Sequence, residues 1–378
     1  MDFTITKEQK SMQKAAREFL KSECTSEFVR EMEKTEKGYT TELWRKMGEL
    51  DWMALSIPEE YDGVGGELID LILMMEEMGR VCAPGPFFPT IVLGGFSLAG
   101  YGTEEQKKRI LPQIANAEIK MTLAHTEPEM SKYDPYLISV GAVPEGDDFI
   151  IDGIKLFVQD AHVADTIICA ARTSGQNRDR DGITIFMVDA RSPGIELSPL
   201  KTIGGDKQFE VIFKKVKVSK SNILGGLNQG SVLLKDILKY AAICKCAEMV
   251  GGAQKVMEMA SAYAKERRQF KKQIGSFQAI QHHCANMLID LEGSRYITYK
   301  AAWMLGNNIP CDREISIAKA WVSDSYRKIV ALGHQVQGGS AFMEEHDMPL
   351  YSRRAAAAIV AFGDAGYHRE KVACLVGL

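Results

Sequence analysis

The hydrophobic period of this chain changes twice, and that switch constrains the fold more than any single motif. Up to about residue 119, apolar residues recur at helical spacing in Glu8 to Leu20, Thr41 to Leu50 and Leu68 to Val81. From about 120 to 228 the chain breaks into short β-rich runs: MTLAHT, DFIIDGIKLFV, DTIICAART, GITIFMVDA and FEVIFKKVKV, separated by turns such as PEGDD and RSPG. Helical spacing then returns in Leu233 to Lys265, Phe277 to Met304 and Ser316 to Gly333. This order argues against alternating βαβ units, and no GxGxxG motif follows a strand, so a Rossmann dinucleotide site is not indicated. The expected fold is α+β, mainly α. A helical domain spans 1–119, an antiparallel, barrel-like β-domain 120–228, and a four-helix bundle 229–378. A length of 378 residues is too great for one hydrophobic core.

Local punctuation sharpens this plan. Ser56–Gly66 is a Pro/Gly-rich break, and Cys82–Thr90 is a second, where Pro84, Pro86 and Pro89 forbid a regular helix. Thr103 is placed to cap the helix that follows. A net charge of −4, with no long Lys/Arg run, argues against a nucleic-acid partner. No apolar stretch reaches the ~20 residues of a membrane span. The opening MDFTITKEQKSMQK has no apolar signal-peptide core, so a cytoplasmic protein is expected. The eight cysteines form no CxxC pair and read as small buried hydrophobes. Adjacent His282 and His283 point in different directions on a helix, so no metal site is expected there.

Tyr263 to Met287 carries the densest chemistry. It reads as a helix, a short turn and a second helix, with Arg267, Arg268, Lys271 and Lys272 crowding the junction around Gln269 and Phe270. Fixed positive charge, amide donors and an aromatic ring suit a diphosphate carried on a flat ring system. The same residues also fit a solvated basic helix end that complements the macrodipole.

Five stretches in order resemble the acyl-CoA dehydrogenase family: MDFTITKEQK, GTEEQKKRILPQIANAEIKMTLAHTEP, DDFIIDGIKLFVQDAHVADTIICAART, YAKERRQFKKQIGSFQAIQH and HQVQGGSAF. The resemblance implies FAD bound between the β-domain and the C-terminal bundle, with its ADP half reaching a neighbouring subunit of a homotetramer or heterotetramer. It implies that His125 and Thr126 meet the isoalloxazine, with Phe157 and Gln159 beside it. Arg267, Gln269 and Phe270 would hold the diphosphate and adenine side, and Gln335, Gly338 and Gly339 the second cofactor motif. Taken singly, Phe157 reads as β-core, Thr126 as a strand threonine, Gln335 as a helix-surface amide and the glycine pair as a C-cap. The implied reaction is dehydrogenation of an acyl-CoA thioester: a carboxylate removes the α-proton, the β-hydrogen leaves as hydride to flavin N5, and electrons pass on to electron-transfer flavoprotein.

The chain departs from the family pattern at the base. Phe362 stands in the usual glutamate slot, followed by Gly363, and Ala241 stands in the alternative slot on the first long C-terminal helix. Ala242 replaces an arginine that often contacts CoA, and Glu129-Met130-Ser131-Lys132-Tyr133 replaces small residues near the thioester arm. Ser131, Lys132 and Tyr133, with Tyr240 and Gly363 beside the two slots, are the residues placed against substrate. Three readings follow. The base comes from elsewhere, with Asp364 nearest in sequence and Glu129 and Asp134 as others. Alternatively, the chemistry occurs at another carbon of an alicyclic acyl group. Lastly, this is a subunit whose partner supplies the base. Asp364 equally fits a cap of the last helix or a partner of His368 or Arg369. The altered slots point to a bulky, branched, cyclic or dicarboxylic acyl-CoA; a flavin oxidase or monooxygenase on the same scaffold is the remoter class.

Overall fold

The computed structural model describes residues 4–130 and 132–378; Ser131, one of the expected substrate residues, lies outside the described residues. The chain opens with α1 (Lys7–Glu23), α2 (Ser26–Lys34) and α3 (Thr41–Glu49). Each begins at a threonine, Thr6, Thr25 and Thr40, whose side chain accepts from the amide three residues on. Helix α4 (Leu68–Val81) is buried along nearly its whole length, because it runs through the centre of the molecule rather than along its surface. Cys82 ends it in the left-handed region, at φ 53°. The proline-rich break that follows is not irregular throughout. Phe88–Gly95 forms a wide π-helical turn that carries Pro89 at its start, where a missing N–H is harmless. It runs into α5 (Phe96–Tyr101), and α6 (Glu104–Ala115) follows behind a Thr103–Gln106 capping box.

The β-domain contains β1 (Met121–Ala124), β2 (Gly141–Glu145), β3 (Asp148–Gln159), β4 (Thr166–Arg172), β5 (Ile183–Asp189), β6 (Ile195–Leu200), β7 (Gln208–Ser219) and β8 (Ile223–Leu224). The strand order is β6-β7-β3-β2-β4-β5-β8, with β1 beside β4. Pairing is antiparallel except at β1–β4 and β2–β4. Those strands are separated in sequence by others, which leaves the long connection that parallel neighbours need. Both faces of β4 are buried, and alternate residues serve different cores. Cys169 and Ala171 face the interior with Phe149, Phe186 and Phe213, whereas Ile168 and Ala170 pack into the helical core. The β3–β7 ladder slips between Lys155 and Val158, and at this bulge Phe157 takes φ 54° and turns outward, 56% exposed.

Three long helices follow: α7 (Gly230–Glu266), α8 (Gln278–Gly306) and α9 (Asp312–Gln337). The shorter α10 (Met348–Ala358) and α11 (Ala365–Leu375) pack against α9 and complete the bundle. The junction between α7 and α8, expected as a plain turn, is a small hairpin of β9 (Arg268–Gln269) and β10 (Lys272–Gln273). Its two turn residues, Phe270 and Lys271, both have positive φ, the backbone that matches the twist of a two-residue hairpin loop. Helices α4 and α7 touch backbone to backbone. A Cβ on Gly79 would lie 1.9 Å from the Glu248 carbonyl oxygen, and one on Gly251 1.8 Å from that of Glu76. Among the described residues no helix is long and apolar enough to cross a membrane.

Candidate active site

A cavity of about 520 Å³ lies where the β-domain, the turn after α4, and helices α7 and α10 meet. Its β-side wall is built from Leu123, His125, Thr126, Phe157, Gln159 and Asp160. That wall is laced together. The Leu156 amide donates to the Thr126 carbonyl at 2.9 Å, and the Thr122 hydroxyl donates to the Gln159 carbonyl at 2.5 Å. Behind it, Lys155 and Glu127 form an ion pair at 2.5 Å, with side chains 0% and 1% exposed. Glu127 also accepts from the amides of Ser139 and Val140, which satisfies a carboxylate that burial would otherwise penalise. Burial pushes the His125 imidazole down to about 4, with the Lys155 charge adding to it and Glu127 opposing, so His125 is neutral at pH 7.

The helical wall is formed by Met78, Cys82, Phe88 and Met249, by the alanines Ala357, Ala358 and Ala361, and by Phe362. Phe362 has φ 58°, and its ring stacks on Phe88 with centroids 5.6 Å apart. The residue counted into the glutamate slot therefore does face the cavity, as an apolar wall. Asp364 does not. It is exposed, its carboxylate accepts from the Tyr367 amide at 2.8 Å, and it is the N-cap of α11. The expectation that Asp364 supplies the base is not met by its placement: its carboxylate caps the helix end and does not line the cavity.

The other expected substrate residues divide. Tyr133 lines the cavity, with its ring edge on Tyr367 at 4.9 Å and its hydroxyl buried without a partner among the described residues. Lys132 is exposed outside the cavity. Tyr240 lies flat against Phe96 at 4.4 Å and does not line the cavity. Ala241 is fully buried by helix packing, so the alternative slot is closed. Gly363 is buried at φ 94° in the α10–α11 turn, its carbonyl accepts from the Lys319 ammonium at 3.0 Å, and it does not line the cavity. Among the expected cofactor residues, His125, Thr126, Phe157 and Gln159 come together at the cavity. Arg267, Gln269, Phe270, Gln335, Gly338 and Gly339 do not; all six are exposed on the surface of the chain, Phe270 by 87%.

Seven charged cavity residues escaped the sequence reading: Glu33, Asp160, Asp206, Lys207, Lys245, Glu248 and Arg354. Lys245 and Glu248 sit three residues apart on α7 and pair at 2.6 Å. Their signal was present, because two opposite charges interrupt the otherwise apolar, buried run from Ala241 to Ala253. Four carboxylates face the cavity. Glu33 is paired with Arg353 and Arg354. Burial works against Asp206, yet hydrogen bonds from Gln208 and Thr202 hold its pKa below the usual value. Glu248 is paired with Lys245. Asp160 is the exception: burial, with Asp206 adding, raises its carboxyl to about 7.

This donor set fits a flavin. The outward ring of Phe157 offers a flat apolar contact, and the Thr126 hydroxyl and Gln159 amide offer hydrogen bonds beside it. At Gly338 and Gly339 an added Cβ would meet nothing in this chain, which leaves their backbone open to a group from outside it.

Comparisons with known proteins agree with the geometry. Family models match in three consecutive pieces: the acyl-CoA dehydrogenase N-terminal domain over residues 6–118, the middle domain over 122–216 and the C-terminal domain over 228–376. The chain is 32% identical over 379 residues, covering 99% of each chain, to the probable acyl-CoA dehydrogenase YngJ of Bacillus subtilis. It is 31% identical over 348 residues, 90% of this chain and 91% of the other, to the caffeyl-CoA reductase-Etf complex subunit CarC of Acetobacterium woodii. The solved structure of butyryl-CoA dehydrogenase from Megasphaera elsdenii superposes with a TM-score of 0.92 at 25% identity, covering 100% of both chains. The chain belongs to the acyl-CoA dehydrogenase family, FAD-dependent oxidoreductases that act on CH–CH bonds.

Proposed function

We propose that this protein dehydrogenates the thioester of a bulky acyl group, as a tetramer that passes its electrons to an electron-transfer flavoprotein. The observation that carries this reading is the cavity of about 520 Å³, with flavin-type donors on its β-side wall and apolar residues along its helical wall. Ala357, Ala358 and Ala361 line that helical wall, and small side chains there leave room for a broad acyl group. The Etf complex named for the Acetobacterium relative supports the choice of electron acceptor.

When bound, FAD supplies a two-electron acceptor. The chain's own residues do the rest. Thr126, Gln159 and Phe157 would hold the flavin's ring system, and neutral His125 adds no charge to the wall. The apolar wall excludes water, which strengthens every polar contact inside. Asp160 replaces Asp364 as the acceptor of the α-proton: among the cavity carboxylates, its surroundings favour taking up a proton near neutral pH. The test is anaerobic titration of the purified yellow protein with a panel of acyl-CoA thioesters, followed by loss of flavin absorbance. Bleaching by bulky thioesters, lost in Asp160→Asn and retained in Asp364→Asn, is the expected result. Bleaching that survives in Asp160→Asn would remove Asp160 from the role.

A second reading has two observations in its favour. Phe362 fills the usual base slot, and the exposed elbow at Arg267–Phe270 makes no contact with this chain's own cavity. Both fit a subunit of a hetero-oligomer whose partner carries the base. A protein that is colourless alone and yellow only when co-expressed with a paralogous chain would favour this reading.

A further inference from the structure

The acyl cavity contains a pair of charges that neither cofactor binding nor proton removal uses. Lys245 and Glu248 both line the cavity, on one side of α7. Lys245 is 7% exposed. Its ammonium donates to Glu248 Oε2 at 2.6 Å and stands 4.2 Å from the centroid of the Phe88 ring. An ammonium has three donors. Glu248 takes one and the ring face attracts another, which leaves one for the cavity. Glu248 has only Lys245 as a hydrogen-bond partner among the described residues, through one of its two oxygens.

We propose that Lys245 and Glu248 form a recognition site for a hydroxyl group carried on the acyl chain or ring, away from the thioester. The inference rests on the thioester-dehydrogenase reading above and narrows its substrate class. A purely hydrocarbon acyl group would strip water from both charges and return nothing, which costs binding. A carboxylate would gain from Lys245 but would meet Glu248 in the same pair, and the other cavity charges, Glu33, Asp160 and Asp206 against Lys207 and Arg354, leave no net cation to favour it. A hydroxyl satisfies both partners at once: it accepts from the ammonium and donates to the carboxylate. A site built to hydrogen-bond one polar group rejects the analogue lacking it, because its own buried groups are then left unpaired.

The test uses the FAD-bound protein and three probes on one skeleton: 3-cyclohexylpropanoyl-CoA, its 4-hydroxy analogue and its 4-carboxy analogue. Octanoyl-CoA, 8-hydroxyoctanoyl-CoA and octanedioyl-CoA form a second set of different reach. Dissociation constants are read from the perturbation of flavin absorbance under anaerobic conditions. In at least one set the hydroxy probe is expected to bind about tenfold tighter than the unsubstituted one, and the carboxy probe not to exceed it. In Lys245→Met/Glu248→Leu this preference is expected to fall to within about twofold of unity, with FAD content as the check that the variant folds. Glu248→Gln, which keeps shape and an acceptor, shifts the preference toward the carboxy probe; this arm decides the matter should the double variant lose FAD. Equal binding of hydroxy and unsubstituted probes in both sets overturns the proposal, as does a carboxy preference in the wild type. A preference that persists in the double variant, or fails to shift in Glu248→Gln, does the same. Failure of every probe to perturb the flavin would instead overturn the thioester reading itself.

Discussion

Asp364 and Phe362, two residues apart, have opposite fates. Asp364 holds the first turn of α11 by accepting the Tyr367 amide. Asp364→Ala is expected to cost about 1 kcal/mol of stability, a cap's usual worth, and to leave thioester-dependent bleaching intact. A thermal melt beside an anaerobic titration checks both halves. An acid directly before a helix reads equally well as a cap or as a reactive group, because both roles need the same side chain; only its direction separates them. Counting from the motif did bring Phe362 to the cavity, since a spacing along one helix and its turn survives divergence in sequence. Lys245 and Glu248 were missed for a different reason. Helical periodicity sorts residues into buried and exposed, and it has no category for a charge on a face that borders an internal cavity.

The elements that shape the site are held by close approaches that no period announces. Helices α4 and α7 meet at Gly79 and Gly251, each against a carbonyl of the other helix. Gly251→Ala forces a Cβ to within 1.8 Å of the Glu76 oxygen, so α7 must move and carry Lys245 and Glu248 with it. Overpacking of this kind costs roughly 1–3 kcal/mol, and here it should also weaken thioester binding, measurable as a lower melting temperature and a raised dissociation constant. The bulge in β3 is a second device of this sort, because it turns Phe157 outward where strict alternation would have left it in the sheet core. The α7–α8 elbow was legible as a cationic junction but not as a hairpin, since two strands of two residues each are too short to carry a period. Arg267→Ala is expected to lower FAD occupancy of the purified protein, because a charge-assisted contact is worth roughly 1.5–3 kcal/mol. Unchanged flavin content would place the diphosphate elsewhere.

Across the whole molecule, three blocks of secondary structure were readable from hydrophobic period alone. The parallel pairing of β1 and β2 with β4 was not, because strand order depends on long-range contacts rather than local pattern. The buried titratable groups set how stability varies with pH. Burial lowers His125 and His368 to about 4, and also lowers His162 and His334. An unfolded chain protonates these histidines as pH falls through about 6.5, the folded one only lower, so their stabilising contribution is lost on acidification. Asp160, raised to about 7, works the other way: the folded state takes up its proton first as pH falls from 7 toward the ordinary aspartate value of 3.8. The melting temperature is therefore expected to fall between pH 6.5 and 4.5, and to fall more steeply in Asp160→Asn. A flat profile would contradict the burial of these groups.

The most direct measurement is an experimental structure of the flavin-bound protein with a bulky acyl-CoA. The isoalloxazine is expected against Phe157, Thr126 and Gln159, and the acyl group between Phe362 and the Lys245–Glu248 pair, with Arg267–Phe270 reaching the cofactor of a neighbouring subunit. A flavin or acyl group located away from this cavity would contradict this arrangement.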